Sequence, residues 1–190
     1  MYKIISVTNR RLSEDFVKRA EEIAALDIPM ILREKDLSEK EYTELARKIL
    51  AVTDNVILHS FISSAKTLGH KKIHLPMHLL ETSDVSVFDT VGASVHSVDE
   101  AVRAQALGAS YITAGHIFET DCKKGVQPRG LDFLKNVCEA VSIPVYAIGG
   151  ITPENAASAI AAGAAGVCVM SAFMKAKCPA ELYNSFMGRA

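Results

Sequence analysis

Three times in this chain a helical segment runs into a glycine and a short apolar strand follows within a few residues. The junctions are Leu68-Gly69, Leu107-Gly108 and Ala162-Gly163. A glycine there can take the left-handed turn that ends a helix, so the recurring unit is helix, turn, strand. Eight short apolar runs fit the strand half: Ile4-Thr8, Met30-Leu32, Val56-Leu58, Ile73-Leu75, Val91-Ser94, Tyr111-Ala114, Val145-Ile148 and Val167-Met170. Most lack strict alternation, as expected of strands covered on both faces. Helical stripes fill most gaps. Phe16, Ala20, Ile23 and Leu26 form one, and Tyr42, Leu45, Ala46, Ile49 and Leu50 another. Ser38-x-x-Glu41 and Ser97-x-x-Glu100 read as capping boxes, and Thr152-Pro153 as a cap before a first-turn proline. Only the stretch from Pro76 to Thr90 looks irregular or weakly helical.

This alternation predicts an α/β fold with a parallel sheet, and eight strands predict a single compact (β/α)8 TIM barrel. One domain would span residues 1–190, shorter than the roughly 250 residues usual for that fold. An open doubly wound sheet would carry a glycine-rich turn after its first strand. Here the first strand runs into Thr8-Asn9-Arg10-Arg11, and the paired glycines come late.

In a parallel barrel, chemistry sits where the strands end. The sixth strand ends in Gly115-His116-Ile117-Phe118-Glu119-Thr120-Asp121-Cys122-Lys123-Lys124-Gly125. His116 should point into the mouth, where a neutral imidazole can move a proton near pH 7. From position alone, a histidine satisfied by a backbone carbonyl fits equally well. The seventh strand ends in Gly149-Gly150 and the eighth in Ser171. Glycines let the backbone approach an anion, and barrels often bind phosphate between these two loops. Arg33 and Lys35, with Glu34 between them, follow strand two and could hold a carboxylate or phosphate. Lys123 and Lys124 could close over a negative ligand. His59 ends strand three and His96 follows strand five, so the mouth is expected to be rich in histidine. His70, His74 and His78 read as surface or structural.

Composition excludes several functions. Net charge is −1, so no overall field favours nucleic acid or an anionic membrane. No apolar run approaches the roughly 18 residues of a membrane span, and the first residues have no signal-peptide layout. Cys122, Cys138, Cys168 and Cys178 lack metal-ligand spacing, which suggests free thiols and a reducing, cytoplasmic setting. The histidines show no spacing with carboxylates that makes a metal site.

Leu32-Arg33-Glu34-Lys35, Gly92-Ala93-Ser94-Val95-His96, the segment from Gly115 to Gly125, Ile148-Gly149-Gly150-Ile151-Thr152-Pro153 and Val169-Met170-Ser171 together resemble the thiamin phosphate synthase and thiazole tautomerase (TenI) superfamily. That superfamily has the short (β/α)8 barrel. Its synthase branch joins a pyrimidine diphosphate to a thiazole phosphate and needs magnesium. Synthases carry Asn-Asp at the end of strand three and His-x-Gly-Gln-x-Asp at the end of strand four. This chain has His59-Ser60 and His74-Leu75-Pro76-Met77-His78-Leu79 there. Ile31 stands where the synthase motif Gln-x-Arg-x-Lys has its glutamine. The tautomerase branch carries the His116 segment, intact here, where synthases usually have proline.

The resemblance therefore implies a thiazole tautomerase working without cofactor or metal. Its ligand would be a small carboxylated thiazole phosphate. His116 would transfer a proton, and Gly149, Gly150 and Ser171 would hold the phosphate. Arg33, Lys35 and Lys123 would hold the carboxylate or stabilise charge, with His59, Ser94 and His96 lining the mouth. A divergent synthase and a non-catalytic thiazole-phosphate-binding regulator are the alternatives. The oligomeric state, a homodimer included, is left open.

Overall fold

The computed structural model describes residues 2–123 and 125–188. Its eight strands are β1 (Lys3–Val7), β2 (Met30–Leu32), β3 (Val56–His59), β4 (Lys72–Pro76), β5 (Thr90–Val95), β6 (Tyr111–Gly115), β7 (Val145–Ile148) and β8 (Gly166–Val169). Each pairs in parallel with the next, and β8 closes on β1 through Lys3–Gly166 to Ser6–Val169. The expected TIM barrel is therefore the observed fold, with every strand within one or two residues of its apolar run.

Parity along each strand sorts the side chains. Ile4, Met30, Leu32, Leu58, Ile73, Leu75, Ile112, Ala147 and Val167 belong to the large cluster between sheet and helices. Ile5, Val7, Ile31, Ile57, Tyr111, Tyr146 and Cys168, which alternate with them, fill the barrel interior. Tyr111 and Tyr146 meet edge to face, with centroids 5.6 Å apart. A Cβ on Gly92 would strike the Tyr111 ring and His74, so the glycine makes room for both. Burying an aliphatic side chain stabilises by about 1.5–3 kcal/mol. The shell cluster, with far more such side chains, thus carries most of that stabilisation, and the apolar inward cluster adds to it.

The helices that cover the sheet include α1 (Phe16–Ala24), α2 (Glu39–Leu50), α3 (Ile62–Thr67), α4 (Met77–Leu80), α5 (Val98–Ala106), α6 (Gly130–Ala140), α7 (Pro153–Ala161), α8 (Ser171–Lys175) and α9 (Pro179–Phe186). Ser38 and Glu41 form the full capping box. At α5 only half of it forms. Ser97 accepts from the Glu100 N–H, but the Glu100 carboxylate takes the His96 N–H instead. Gly69, Gly108 and Gly163 all have positive φ at helix ends, as the sequence pattern requires. The irregular stretch holds only the single turn of α4. Among the described residues no helix is long and apolar enough to cross a membrane.

Candidate active site

The carboxyl ends of the strands enclose a cavity of about 650 Å³. β2 sends Arg33 and Lys35 to it, and β3 sends His59. Ser94 and His96 arrive from β5, and His116 and Lys123 from β6 and the loop beyond. Gly149 and Gly150 follow β7, and Ser171 follows β8. All the residues singled out from the sequence as catalytic or binding therefore share one wall-to-wall space. Lys124 lies outside the described residues.

The charges after β2 are sorted. Arg33 and Lys35 face the cavity, whereas Glu34 does not line it and is 2% exposed. Its carboxylate accepts from Thr8 Oγ1 at 2.6 Å and from the Arg10 backbone N–H. Glu34 is thus a strut between two loops rather than part of a solvated charged turn. The Lys35 ammonium is held below its usual range by desolvation, then by Arg33 and Lys123. Among the described residues none of these three cations is in an ion pair.

His116 is 5% exposed, and its Nε2 lies 3.2 Å from the Val126 carbonyl. A nitrogen facing a carbonyl must carry the proton, so in the neutral ring Nδ1 keeps its lone pair. The carbonyl partner of one of the two sequence readings is thus present, on Nε2. His96 has the opposite tautomer, with Nδ1 on the Gly115 carbonyl at 2.8 Å. His59 Nδ1 lies 2.7 Å from Ser60 Oγ.

The reading of His70, His74 and His78 as surface or structural holds for His70 and for the exposed His78 and needs correction for His74. His70 is structural, with Nε2 on the Val56 carbonyl at 2.8 Å. His78 lines the cavity rim. His74 is buried inside the barrel and lines the cavity floor. Its Nδ1 lies 3.0 Å from the Tyr111 hydroxyl and its Nε2 2.8 Å from Ser94 Oγ. The missed signal was parity. His74 sits between Ile73 and Leu75, both packed outward, so a polar residue between them must face inward.

Burial, then Lys35 and Arg33, push His74 down to about 3. His59 is lowered in the same direction, first by burial and then by His74. The folded rings therefore stay neutral while the unfolded chain takes up protons near pH 6.5. The unfolded state binds more protons in that window, so stability is full above about pH 6.5 and is lost as pH falls toward 3. Thermal melts followed by circular dichroism should show Tm falling through this window, and falling less steeply in His74→Gln. Parallel curves for the two proteins would contradict the assignment.

Gly149 and Gly150 both have positive φ, at 99° and 67°. Each also abuts the loop after β6. A Cβ on Gly149 would strike His116, and one on Gly150 would strike the Glu119 carbonyl and lie 2.8 Å from Phe118. The glycine pair thus seats the His116 loop as well as lining the cavity. A bulky residue at position 150 would disturb both, so it does not report on phosphate approach alone.

The acids at the cavity wall are committed elsewhere. Glu81 pairs with Arg103 at 2.7 Å, and the Glu100 carboxylate accepts the His96 backbone N–H. Among the described residues no three His, Cys, Asp or Glu side chains converge into a metal-binding group. The donor set does not fit the magnesium ion that the resemblance implies for synthases, which takes hard oxygen ligands and carboxylates above all.

A family model described as thiamine monophosphate synthase (TMP-TENI) matches residues 4–173. Thiamine-phosphate synthase of Clostridium acetobutylicum is 33% identical over 187 residues, covering 93% of this chain and 89% of its own. A protein of Aquifex aeolicus named putative thiamine-phosphate synthase 2 is 34% identical over 182 residues, covering 91% and 98% respectively. The solved structure of thiamine phosphate pyrophosphorylase from Pyrococcus furiosus matches with a TM-score of 0.80 at 28% identity, over 99% of this chain and 95% of that one. These names favour the synthase alternative over the tautomerase expectation. At the level that the match over residues 4–173 supports, the chain belongs to the thiamine monophosphate synthase (TMP-TENI) family.

Proposed function

We propose that this family member is an isomerase, a thiazole tautomerase acting on a carboxylated dihydrothiazole phosphate with an exocyclic double bond. The observation that carries the reading is His116, with Nε2 tied to a carbonyl and Nδ1 left as a base, in a cavity where Arg33, Lys35 and Lys123 form no ion pair among the described residues. The reaction needs two proton transfers and nothing else. A base removes the ring proton, the ring electrons shift, and the exocyclic carbon takes up a proton. The atoms balance, because the product is an isomer. His116 Nδ1 serves at least one transfer. Arg33, Lys35 and Lys123 hold the carboxylate and stabilise the negative charge that builds up. Gly149, Gly150 and Ser171 cradle the phosphate, and His59, Ser94 and His96 shape the walls.

The names of the relatives support a second reading, the synthase. It would join a pyrimidine diphosphate to the thiazole phosphate. Ser60 and Leu79 stand where the resemblance puts the magnesium-binding acids, and neither side chain neutralises a divalent ion.

The tautomerase reading is tested by running the isomerisation in D₂O and following it by NMR. One deuterium is expected at the former exocyclic carbon, appearing faster than in the enzyme-free control. Equal rates with and without enzyme would sink the reading.

A further inference from the structure

The segment Arg33-Glu34-Lys35-Asp36 alternates in sign, and the structure separates the signs in space. The two cations line the cavity, and none of Arg10, Glu34 and Asp36 does. Both acids are instead gathered by the loop between β1 and α1. The Arg10 guanidinium grips Asp36 with two bonds, Nη1 to Oδ1 at 2.6 Å and Nη2 to Oδ2 at 2.7 Å. Arg11 adds a third at 2.7 Å. Arg10 also holds Glu34, through its backbone N–H at 3.0 Å and its Nη1 at 3.2 Å. Thr8 completes the frame, donating to Glu34 and accepting from the Arg33 N–H at 2.9 Å.

Left to themselves, acids next to cations in sequence pair with them and neutralise them. A fork-shaped guanidinium that binds a carboxylate through two N–H groups prevents this by offering a better partner. We infer that Arg10 is a positioning residue for anion binding: by holding Asp36 and Glu34 away from the cavity, it keeps Arg33 and Lys35 free for the ligand's carboxylate. The inference rests on the proposed reading of the cavity as a thiazole carboxylate phosphate site. Two further observations fit it. Lys35 is lowered first by burial and then by Arg33 and Lys123, and no carboxylate among the described residues raises it. Asp36 is held far below the usual carboxylate range by Arg10, so it remains a full negative charge that must be kept elsewhere.

The test uses calorimetric binding of two probes, the aromatic carboxylated thiazole phosphate and the same thiazole phosphate without its carboxylate. Arg10→Ala removes the two-bond grip on Asp36 and leaves it the single bond from the exposed Arg11, while Glu34 retains Thr8 and the backbone N–H. Affinity for the carboxylated probe is expected to fall about ten-fold, the scale of one charge-assisted hydrogen bond. Affinity for the other probe should barely change. Adding Asp36→Asn to Arg10→Ala should restore most of the loss, because the released group is then neutral. Asp36→Asn alone should bind both probes like the wild type.

A purely structural Arg10 would give a lower Tm, equal losses for both probes and no rescue. That pattern overturns the inference, as does wild-type affinity in a folded Arg10→Ala protein. Arg33→Ala separates this failure from that of the underlying reading. If it weakens only the carboxylated probe while Arg10→Ala weakens neither, the cation site stands and the role of Arg10 falls. If Arg33→Ala leaves both probes unaffected, the carboxylate is not held there and both fall.

Discussion

Replacing His116 with glutamine, whose amide nitrogen reaches the position of Nε2, is expected to lower kcat for the isomerisation by roughly 10²–10⁴-fold, the usual range for one general acid or base. The amide can still donate to the Val126 carbonyl, where His116 Nε2 now sits at 3.2 Å, so the loop should keep its shape. What disappears is the lone pair on Nδ1. Ligand affinity should change little, which gives a loss in kcat with a nearly constant KM. Steady-state rates corrected for the spontaneous isomerisation provide the check. If a folded variant turns over at close to the wild-type rate, His116 only positions the ligand. Proton transfer would then pass to His59 or His96, which also line the cavity.

Gly149→Ala should be nearly as damaging, although alanine carries no chemistry. Gly149 has φ of 99°, which an L side chain adopts at a cost of about 1–3 kcal/mol. Its Cβ would also strike the Cβ of His116 and lie 2.7 Å from the Cα. Either the histidine or the glycine loop must move. A displacement on the order of 1 Å at a reacting group costs about 10²-fold in rate. The expected signature is a kcat lowered by about that factor, with a fall in Tm measured in parallel. A variant that loses stability but keeps kcat within two-fold of wild type would show that Gly149 does not position His116.

The barrel was legible because three independent signals agreed. Apolar runs of strand length, serine and threonine caps, and glycines at helix ends each marked the same alternation. Residues at strand ends were legible for the same reason. Once β2, β6, β7 and β8 are placed, Arg33, His116, Gly149 and Ser171 must meet at one mouth.

Three features were not legible, each for a physical reason. His74 sits in mid-strand, and only knowing which parity faces the helices turns it inward. The parting of Glu34 and Asp36 from Arg33 and Lys35 depends on Arg10, more than twenty residues earlier, and no local pattern reports a contact between loops. The double duty of Gly149 and Gly150 needs the neighbouring loop in place, because a glycine pair reads the same whether it leaves room for a ligand or for a histidine.

The most direct measurement runs both candidate reactions on the purified protein, with a chelator and then with added magnesium. One arm supplies the dihydrothiazole carboxylate phosphate, and the other supplies the pyrimidine diphosphate with thiazole phosphate. The expected result is isomerisation above the spontaneous rate, equal with chelator and with magnesium, and no thiamin phosphate in the second arm. Magnesium-dependent formation of thiamin phosphate, with isomerisation no faster than background, would contradict the tautomerase assignment and establish the synthase reading instead.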